Sequence, residues 1–521
     1  MDDLTATTTQ AAVQAGDWWR GGIIYQIYPR SFQDTTGSGT GDLGGIAQRL
    51  PYVASLGVDA VWISPFFTSP MKDFGYDVAD YQGIDPLFGT MEDFDWLIAS
   101  AHDLGLKVII DLVMSHTSDR HSWFRESRAS RANPKSDWYV WADPKPDGTA
   151  PNNWLSMFGG SAWQWDARRE QYYLHNFLSS QPDLNFHNPE VQQALLDMAR
   201  FWLDRGVDGF RLDVVNYYFH DRELRDNPPL APGLRKADTA PAVNPYNHQS
   251  HKFSKSQPEN VAFLERFHQT IAPYGASVVG EIGDSERALE LLEVYTGTPG
   301  RVQMSYVFDF LSGTDLTAAR VVDVFDRLTS QAPNAWPCWA MSNHDVVRHI
   351  TRWSLPDQAA KAYATVLLCL RGSVCLYQGE ELGLPEAELR HEELRDPYGI
   401  EFWPEFKGRD GCRTPMVWDM GVNGGFSTSQ PWLPVPHTHL QRTVVAQEAD
   451  AQSMLHHYRW AVGLRRKHSA LRGGTMTDVM AEGPVLSFRR MDDKQTLLIR
   501  ANLSDDEASG LMPWQVQIIE G

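Results

Sequence analysis

Cysteine is scarce in this chain. The four thiols among 521 residues, at positions 338, 369, 375 and 412, form no CxxC pair and are too few for a disulfide framework, so they read as free thiols. Basic residues are short as well. The 46 Lys and Arg face 66 Asp and Glu, a formal charge of −20 that argues against a nucleic-acid partner or an anionic membrane surface. No apolar run is long enough to span a membrane. Residues 1–16 are rich in Thr, Ala and Gln and carry Asp2 and Asp3 where a secretory signal carries positive charge, so a cytoplasmic address is expected. What is present is 42% hydrophobic residues, enough for a large core and more than one domain at about 100–200 residues per domain.

Strand and helix patterns alternate along the chain. Gly22–Tyr28, Ala60–Ser64 and Lys107–Val113 read as the first three strands, with helical spacing over Leu43–Ser55 and Met91–Leu104 between them. Further strands are expected at 209–214, 277–282, 306–310, 338–343 and 373–377, separated by helical stretches such as Val191–Arg205, Leu316–Leu328 and Gln358–Leu370. Eight such units predict an α/β fold, a (β/α)8 barrel carrying insertions. One insertion, Asp119–Asp183, is rich in Trp, Asn, Pro and Gly, with the pattern of short strands, and reads as a small subdomain after strand 3. Another, Phe219–Pro258, is charged, Pro-rich and too long for a simple loop beside strand 4. Beyond a helix expected over Gln447–Lys467, the segments Val485–Phe488, Thr496–Arg500 and Trp514–Ile518 predict a C-terminal antiparallel β domain.

Ionisable residues gather at the strand ends. Alternation puts Arg211 and Asp213 on one side of the fourth strand, where the guanidinium is expected to keep the carboxylate ionised. The third strand ends at Asp111 and His116, the fifth at Gly280-Glu281 and the seventh at Asn343-His344-Asp345. Each has a bland reading alone: Asp111 braces a turn, a His packs, Arg211 and Asp213 form a structural ion pair. Together, four carboxylates, two histidines and an arginine on one rim call for a function, because clustered like charges destabilise a fold. The C-terminal rim of a parallel barrel is where such folds do their chemistry.

Asp111-Leu-Val-Met-Ser-His116, Gly209-Phe-Arg-Leu-Asp213, Gly280-Glu-Ile282 and Ser342-Asn-His-Asp345 resemble the four signature regions of the α-amylase superfamily of glycoside hydrolases. Trp19-Arg-Gly-Gly-Ile-Ile-Tyr-Gln-Ile-Tyr-Pro-Arg-Ser-Phe32, Gly75-Tyr-Asp-Val-Ala-Asp-Tyr81 and Arg413-Thr-Pro-Met-Val-Trp418 are similar to its α-glucosidase and oligo-1,6-glucosidase branch. The run Asn216–Pro229 resembles bacterial α-glucosidases that favour disaccharides and transfer glucose to small alcohols. The resemblance implies a retaining α-glucosidase with Asp213 as nucleophile, Glu281 as general acid/base and Asp345 as transition-state stabiliser. It further implies that His116 and His344 hold sugar hydroxyls, that Arg211 orients Asp213, that Tyr76 stacks under the ring, that Phe177 lines the substrate site, and that Asp73 with Arg413 closes the blind end. Val214, after the implied nucleophile, is the type found in relatives preferring α-1,6 bonds, whereas the disaccharide branch more often carries Ala or Thr. The implied division is 17–116 and 183–468 as the barrel, 117–182 as a B domain, and 469–521 as a C domain. The 19 Trp suit stacking on sugars as well as a core.

Asp34-Thr-Thr-Gly-Ser-Gly-Thr-Gly-Asp42 occupies the place of the family's calcium loop, offering Asp34, Thr36, Ser38, Thr40 and Asp42. Thr36 and Ser38 replace residues the family often fills with Asn and Asp, so a weakened or empty site is expected and no cofactor is required. The implied partners are small α-glucosides with acceptor alcohols or sugars. A glucosyltransferase or isomerase acting on sucrose, maltose or trehalose would carry the same catalytic residues, and the sequence sets neither the ratio of transfer to hydrolysis nor the oligomeric state.

Overall fold

Parallel register carries eight short strands into a closed barrel: β1 (Ile23–Ile27), β2 (Ala60–Ile63), β3 (Lys107–Leu112), β4 (Gly209–Leu212), β5 (Ser277–Gly280), β6 (Met304–Tyr306), β7 (Pro337–Trp339) and β8 (Ser373–Tyr377). Closure comes from β1 pairing with β8, Ile23 opposite Val374. This computed structural model describes residues 17–237 and 240–521. The N-terminal stretch 1–16, on which the expected absence of a signal rests, lies outside the described residues.

Alternation along each strand gives two apolar layers. Ile24, Ala60, Trp62, Ile109, Val279, Met304, Cys338 and Cys375 meet inside the barrel, while Ile23, Val61, Val108, Ile110 and Val278 pack outward in the larger cluster that the surrounding helices share. The same alternation continues to the strand ends. Asp111 lies two residues beyond inward-facing Ile109 and is paired with Arg211, which is paired in turn with inward-facing Val279, so the inner layer turns from apolar to charged at the C-terminal rim. At the opposite end Gly209 permits close strand approach, since a Cβ there would lie 2.5 Å from the Ser277 carbonyl oxygen.

Several elements depart from the sequence pattern. The sixth strand is Met304–Tyr306 and not 306–310; Phe308–Leu311 forms a helical turn instead. The seventh is Pro337–Trp339, shorter than 338–343. Helix Gln447–Lys467 is divided into Val444–Glu448 and Met454–Lys467, because the Asp450 carbonyl accepts from Ser453 N and Ser453 then caps the second piece. The insertion after β3 holds a helix, Ser122–Ala129, besides a three-stranded sheet in which Gln171–Leu174 lies between Trp141–Ala142 and Trp163–Asp166.

A C-terminal antiparallel sheet follows in the order β9 (Thr475–Glu482), β10 (Val485–Met491), β11 (Thr496–Asn502), β12 (Val516–Glu520). Arg490, buried in β10, fastens it to the barrel, and Arg465 fastens the preceding helix Met454–Lys467 there. Arg465 donates to the carbonyls of Gly21, Leu368, Leu370 and Gly372, and Arg490 to those of Cys369 (2.6 Å) and Gly474 (3.1 Å). Leu368 and Cys369 end the helix Asp357–Cys369, so the cations satisfy carbonyls that have no partner within the helix and face the negative end of its dipole. Arg490→Met, which leaves these acceptors buried and unpaired, is expected to lower the unfolding free energy measured in urea by about 1–3 kcal/mol. An unchanged midpoint would show that the arginine contributes nothing to this junction.

Candidate active site

One guanidinium organises the charged rim. Arg211 is buried inside the barrel; its Nη1 donates to Asp111 Oδ1 (2.9 Å) and Asp213 Oδ1 (2.6 Å), and its Nη2 donates to Glu281 Oε2. Its Cζ lies 5.1 Å from the centroid of the Trp62 ring and 5.9 Å from that of Tyr76. Asp111 braces no turn: its other oxygen accepts from Trp62 Nε1 (3.2 Å) and Tyr76 Oη (3.1 Å), which makes it the floor of the cluster.

Burial pushes the carboxyls of Asp213 and Glu281 each up to about 7 and that of Asp111 to about 6, with Arg211 opposing and the neighbouring carboxylates reinforcing. Arg211 favours the ionised form of Asp213 by its charge and its hydrogen bond, and burial opposes it. A single positive charge divided among three buried carboxyls leaves the cluster short of cation, so near neutral pH the group retains a proton.

Asp345 has the opposite environment. Burial works against its charge, yet Arg409 and Arg413 hold its carboxyl well below the usual carboxylate range. Arg413 Nη2 donates to Asp345 Oδ1 at 2.8 Å and Arg409 Nη1 to the same oxygen at 3.3 Å. Burial lowers His344 to about 3, so it is neutral; Gln26 donates to its Nδ1 (2.8 Å), leaving Nε2 to face Tyr76 Oη (2.6 Å) and Asp345 Oδ2 (3.1 Å). The Tyr76 and His344 rings stack with centroids 5.4 Å apart. His116, lowered by burial to about 4, is bonded through Nε2 to the Tyr76 carbonyl (3.0 Å).

These groups surround a cavity of about 160 Å³ lined by Asp73, Tyr76, His116, Asp213, Glu281, Asp345 and Arg409 on its polar side. Phe177, Phe158, Met157, Val214, Tyr217 and Tyr398 are among the residues of its apolar side. Four of the strand ends read from the sequence are thereby brought together. A match to the α-amylase catalytic domain model extends over residues 26–474. The chain belongs to the α-amylase family. It is 58% identical to a probable α-glucosidase of Rhizobium meliloti, over 99% of this chain and 95% of that protein. It is 38% identical to an oligo-1,6-glucosidase of Heyndrickxia coagulans, over 95% and 93% of the two chains. Among solved structures, the α-glucosyl transfer enzyme XgtA superposes with a TM-score of 0.92 at 56% identity, covering 94% of this chain and 92% of that one.

In this α-amylase-family site the partner of Asp73 is Arg409, not Arg413. Arg409 Nη2 donates to Asp73 Oδ1 and to Asp396 Oδ1, each at 2.8 Å, whereas Arg413 stands behind the wall, tied to the His344 carbonyl and Asp345. Sequence reasoning missed Arg409, Asp396 and Gln181, whose Nε2 donates to Asp73 Oδ2 (3.0 Å). The one available signal was the charge density of Lys407-Gly-Arg-Asp410 just ahead of the recognised Arg413 motif. Val214 has φ +35°, left-handed backbone that a β-branched residue rarely adopts, and its N–H donates to Glu281 Oε2 (3.2 Å).

The carboxylates of the Asp34–Asp42 loop are engaged by hydrogen-bond donors. Asp34 Oδ1 accepts from the backbone N–H groups of Thr36 and Gly37, both at 2.9 Å, and Oδ2 from Gly39 N (2.8 Å) and Ser427 Oγ (2.6 Å). Asp42 caps a helix through Gly45 N (2.7 Å) and also accepts from Thr35 N (2.7 Å), while Ser38 Oγ donates to the Thr40 carbonyl (3.0 Å). Both carboxylates thus serve as acceptors that hold the loop together, while Thr36 and Ser38 add no further charge. Among the described residues, no group of three or more His, Cys, Asp and Glu is arranged to hold a metal. We expect EDTA-treated and calcium-supplemented protein to unfold at the same temperature; a fall in EDTA that calcium reverses would show that the loop binds the ion.

Proposed function

We propose that this chain is a retaining α-glucosidase that cleaves short α-glucosides from the non-reducing end and transfers the glucosyl group to alcohols or sugars as well as to water. The observation that carries this reading is Arg211 holding Asp213 and Glu281 on its two terminal nitrogens. Carboxyls bound to one guanidinium fork are compatible with the separation of about 5–5.5 Å that retention uses. The probable α-glucosidase and the glucosyl transfer enzyme among its relatives support the same reading.

Asp213 attacks the anomeric carbon while Glu281 protonates the departing glycosidic oxygen, leaving a glucosyl ester on Asp213. Glu281, now ionised, takes the proton of an incoming water or alcohol as its oxygen forms the new bond to the anomeric carbon and Asp213 leaves with its electron pair. Asp345 stays ionised against the positive charge that develops on the sugar ring. Asp73 and Arg409 close the end of the cavity against the non-reducing hydroxyls.

Asp213→Asn should remove nearly all turnover with the fold kept, and Glu281→Gln should still form the glucosyl ester from a donor with a good leaving group. Substantial activity in Asp213→Asn would overturn its role. The pH dependence of kcat/KM should be a narrow bell centred near neutral. Activity falls below about 7 as Asp213 takes a proton and falls above it as Glu281 loses one, the two limbs belonging to the pair. A broad plateau reaching pH 9 would contradict a shared proton.

Substrate length and linkage follow from the apolar side. The segment after β4 packs over the cavity, Asn244 Nδ2 donating to the Met157 carbonyl (2.7 Å) and to Tyr398 Oη (3.1 Å). By walling off the space a third sugar would need, this segment favours maltose over maltotriose and starch. Both α-1,4 and α-1,6 bonds are cleaved. Val214 packs an acceptor ring without hydrogen-bonding it, and Val214→Thr, which keeps the β-branch and adds a hydroxyl, should move preference toward α-1,4 by about 1–3 kcal/mol. Comparing kcat/KM for maltose, isomaltose and maltotriose in the two proteins tests this: rapid cleavage of maltotriose, or an unmoved linkage ratio, defeats the corresponding claim.

A further inference from the structure

A buried lysine stands behind the apolar wall and takes no part in the chemistry above. Lys255, near the end of the long segment after β4, is 3% exposed, and its ammonium donates to the Gly283 carbonyl (2.7 Å), Tyr217 Oη (3.1 Å) and Tyr246 Oη (3.1 Å). An ammonium has three protons, so every donor is used. The two tyrosine hydroxyls also meet each other at 2.7 Å. Tyr217 and Gly283 line the catalytic cavity, whereas Tyr246 and Lys255 line a separate cavity of about 400 Å³ on the far side. The lysine therefore pins a partition between two cavities from its rear face.

The place of that partition gives it a role. Glu281 protonates the departing oxygen, so the leaving group, and later the acceptor, lies on the Glu281 side, away from Asp73 and Arg409. Gly283 is two residues beyond Glu281, and a Cβ on it would meet the Tyr217 ring at 3.3 Å, so the two form one surface there. The Tyr217 ring also meets Phe177, with centroids 5.6 Å apart, and packs with Val214 and Met157. We propose that Lys255 is a positioning residue for acceptor choice: by fixing Tyr217 and Tyr246 it shapes the apolar surface against which an alcohol lies and so sets how far water competes for the glucosyl ester.

The inference rests on the α-glucosidase reading, and one experiment separates their failures. With p-nitrophenyl α-glucoside as donor and a small alcohol present, nitrophenol counts donor cleavage, while free glucose and alkyl glucoside count the two fates of the ester. Lys255→Met keeps the stem and removes the donors; Tyr246→Phe removes one acceptor without touching the catalytic cavity. In both, nitrophenol release should stay near the parent value while the transfer fraction falls by about 3–10-fold, the net worth of a hydrogen bond, and the double variant should fall no further than the larger single effect. A purely structural role would lower the active fraction and the melting temperature without moving the partition, which is independent of how much enzyme is active. An unchanged partition in Tyr246→Phe overturns the proposal even if Lys255→Met does not fold. No nitrophenol from the parent protein would instead defeat the α-glucosidase reading itself.

Discussion

The guanidinium of Arg211 is the constraint on which the site depends. Burying a cation costs several kcal/mol unless its protons are matched, and three carboxyls could not share one barrel interior without it. Because Arg211 is a strand residue, register decides where the charge sits. It is opposite Asp111 on β3 and Val279 on β5, and Glu281 lies two residues beyond Val279 on the same face. A slip of one residue would turn every one of these side chains outward, so the sheet and the catalytic geometry are specified together.

Charge is divided unequally across the cavity, and that inequality makes two carboxyls behave differently from a third. Burial raises Asp213 and Glu281, and the one guanidinium they share with Asp111 opposes that rise without cancelling it. Asp345 alone touches two arginines and stays ionised. No metal is required for the contrast, since burial and the count of nearby guanidiniums produce it.

The barrel was legible because burial writes itself into composition: β1, β2, β3 and β8 are near-continuous apolar runs. Three-residue strands such as Met304–Tyr306 and Pro337–Trp339 leave too few positions for a pattern. Thr475–Glu482 escaped notice because nearly all of it faces solvent and nothing in it alternates. The carboxylates were visible as strand-end residues, but their energetics were not. Sequence places Arg211 two residues from Asp213 and conceals that Asp111 and Glu281, at separations of 100 and 70 residues, compete for it. Arg409 and Asp73 are 336 residues apart, so the closed end of the cavity exists only in the folded chain.

The two ends of the cavity select by different physics. At the Asp73 end, Arg409 and two buried carboxylates form a fixed ionic lattice that rewards hydroxyls matched to it and penalises anything that leaves its polar groups unpaired. At the Tyr217 end, Phe177, Met157 and Val214 offer shape with few hydrogen bonds. Discrimination among apolar shapes is worth only a few kcal/mol, whereas a hydrogen-bonding lattice discriminates far more strongly. The strain at Val214, on the order of 1–3 kcal/mol for such backbone, is carried where these two regimes meet. It is held by flanking bonds from Val215 N to the Glu281 carbonyl and from Tyr217 N to the Val214 carbonyl, each 2.8 Å. Those bonds join the strand end that carries Asp213 to Glu281 on one side and to the aromatic wall on the other. The turn that places the Val214 N–H on Glu281 thus also fixes where Tyr217 begins, so a change in the wall is transmitted to the reacting carboxyls through three residues of backbone.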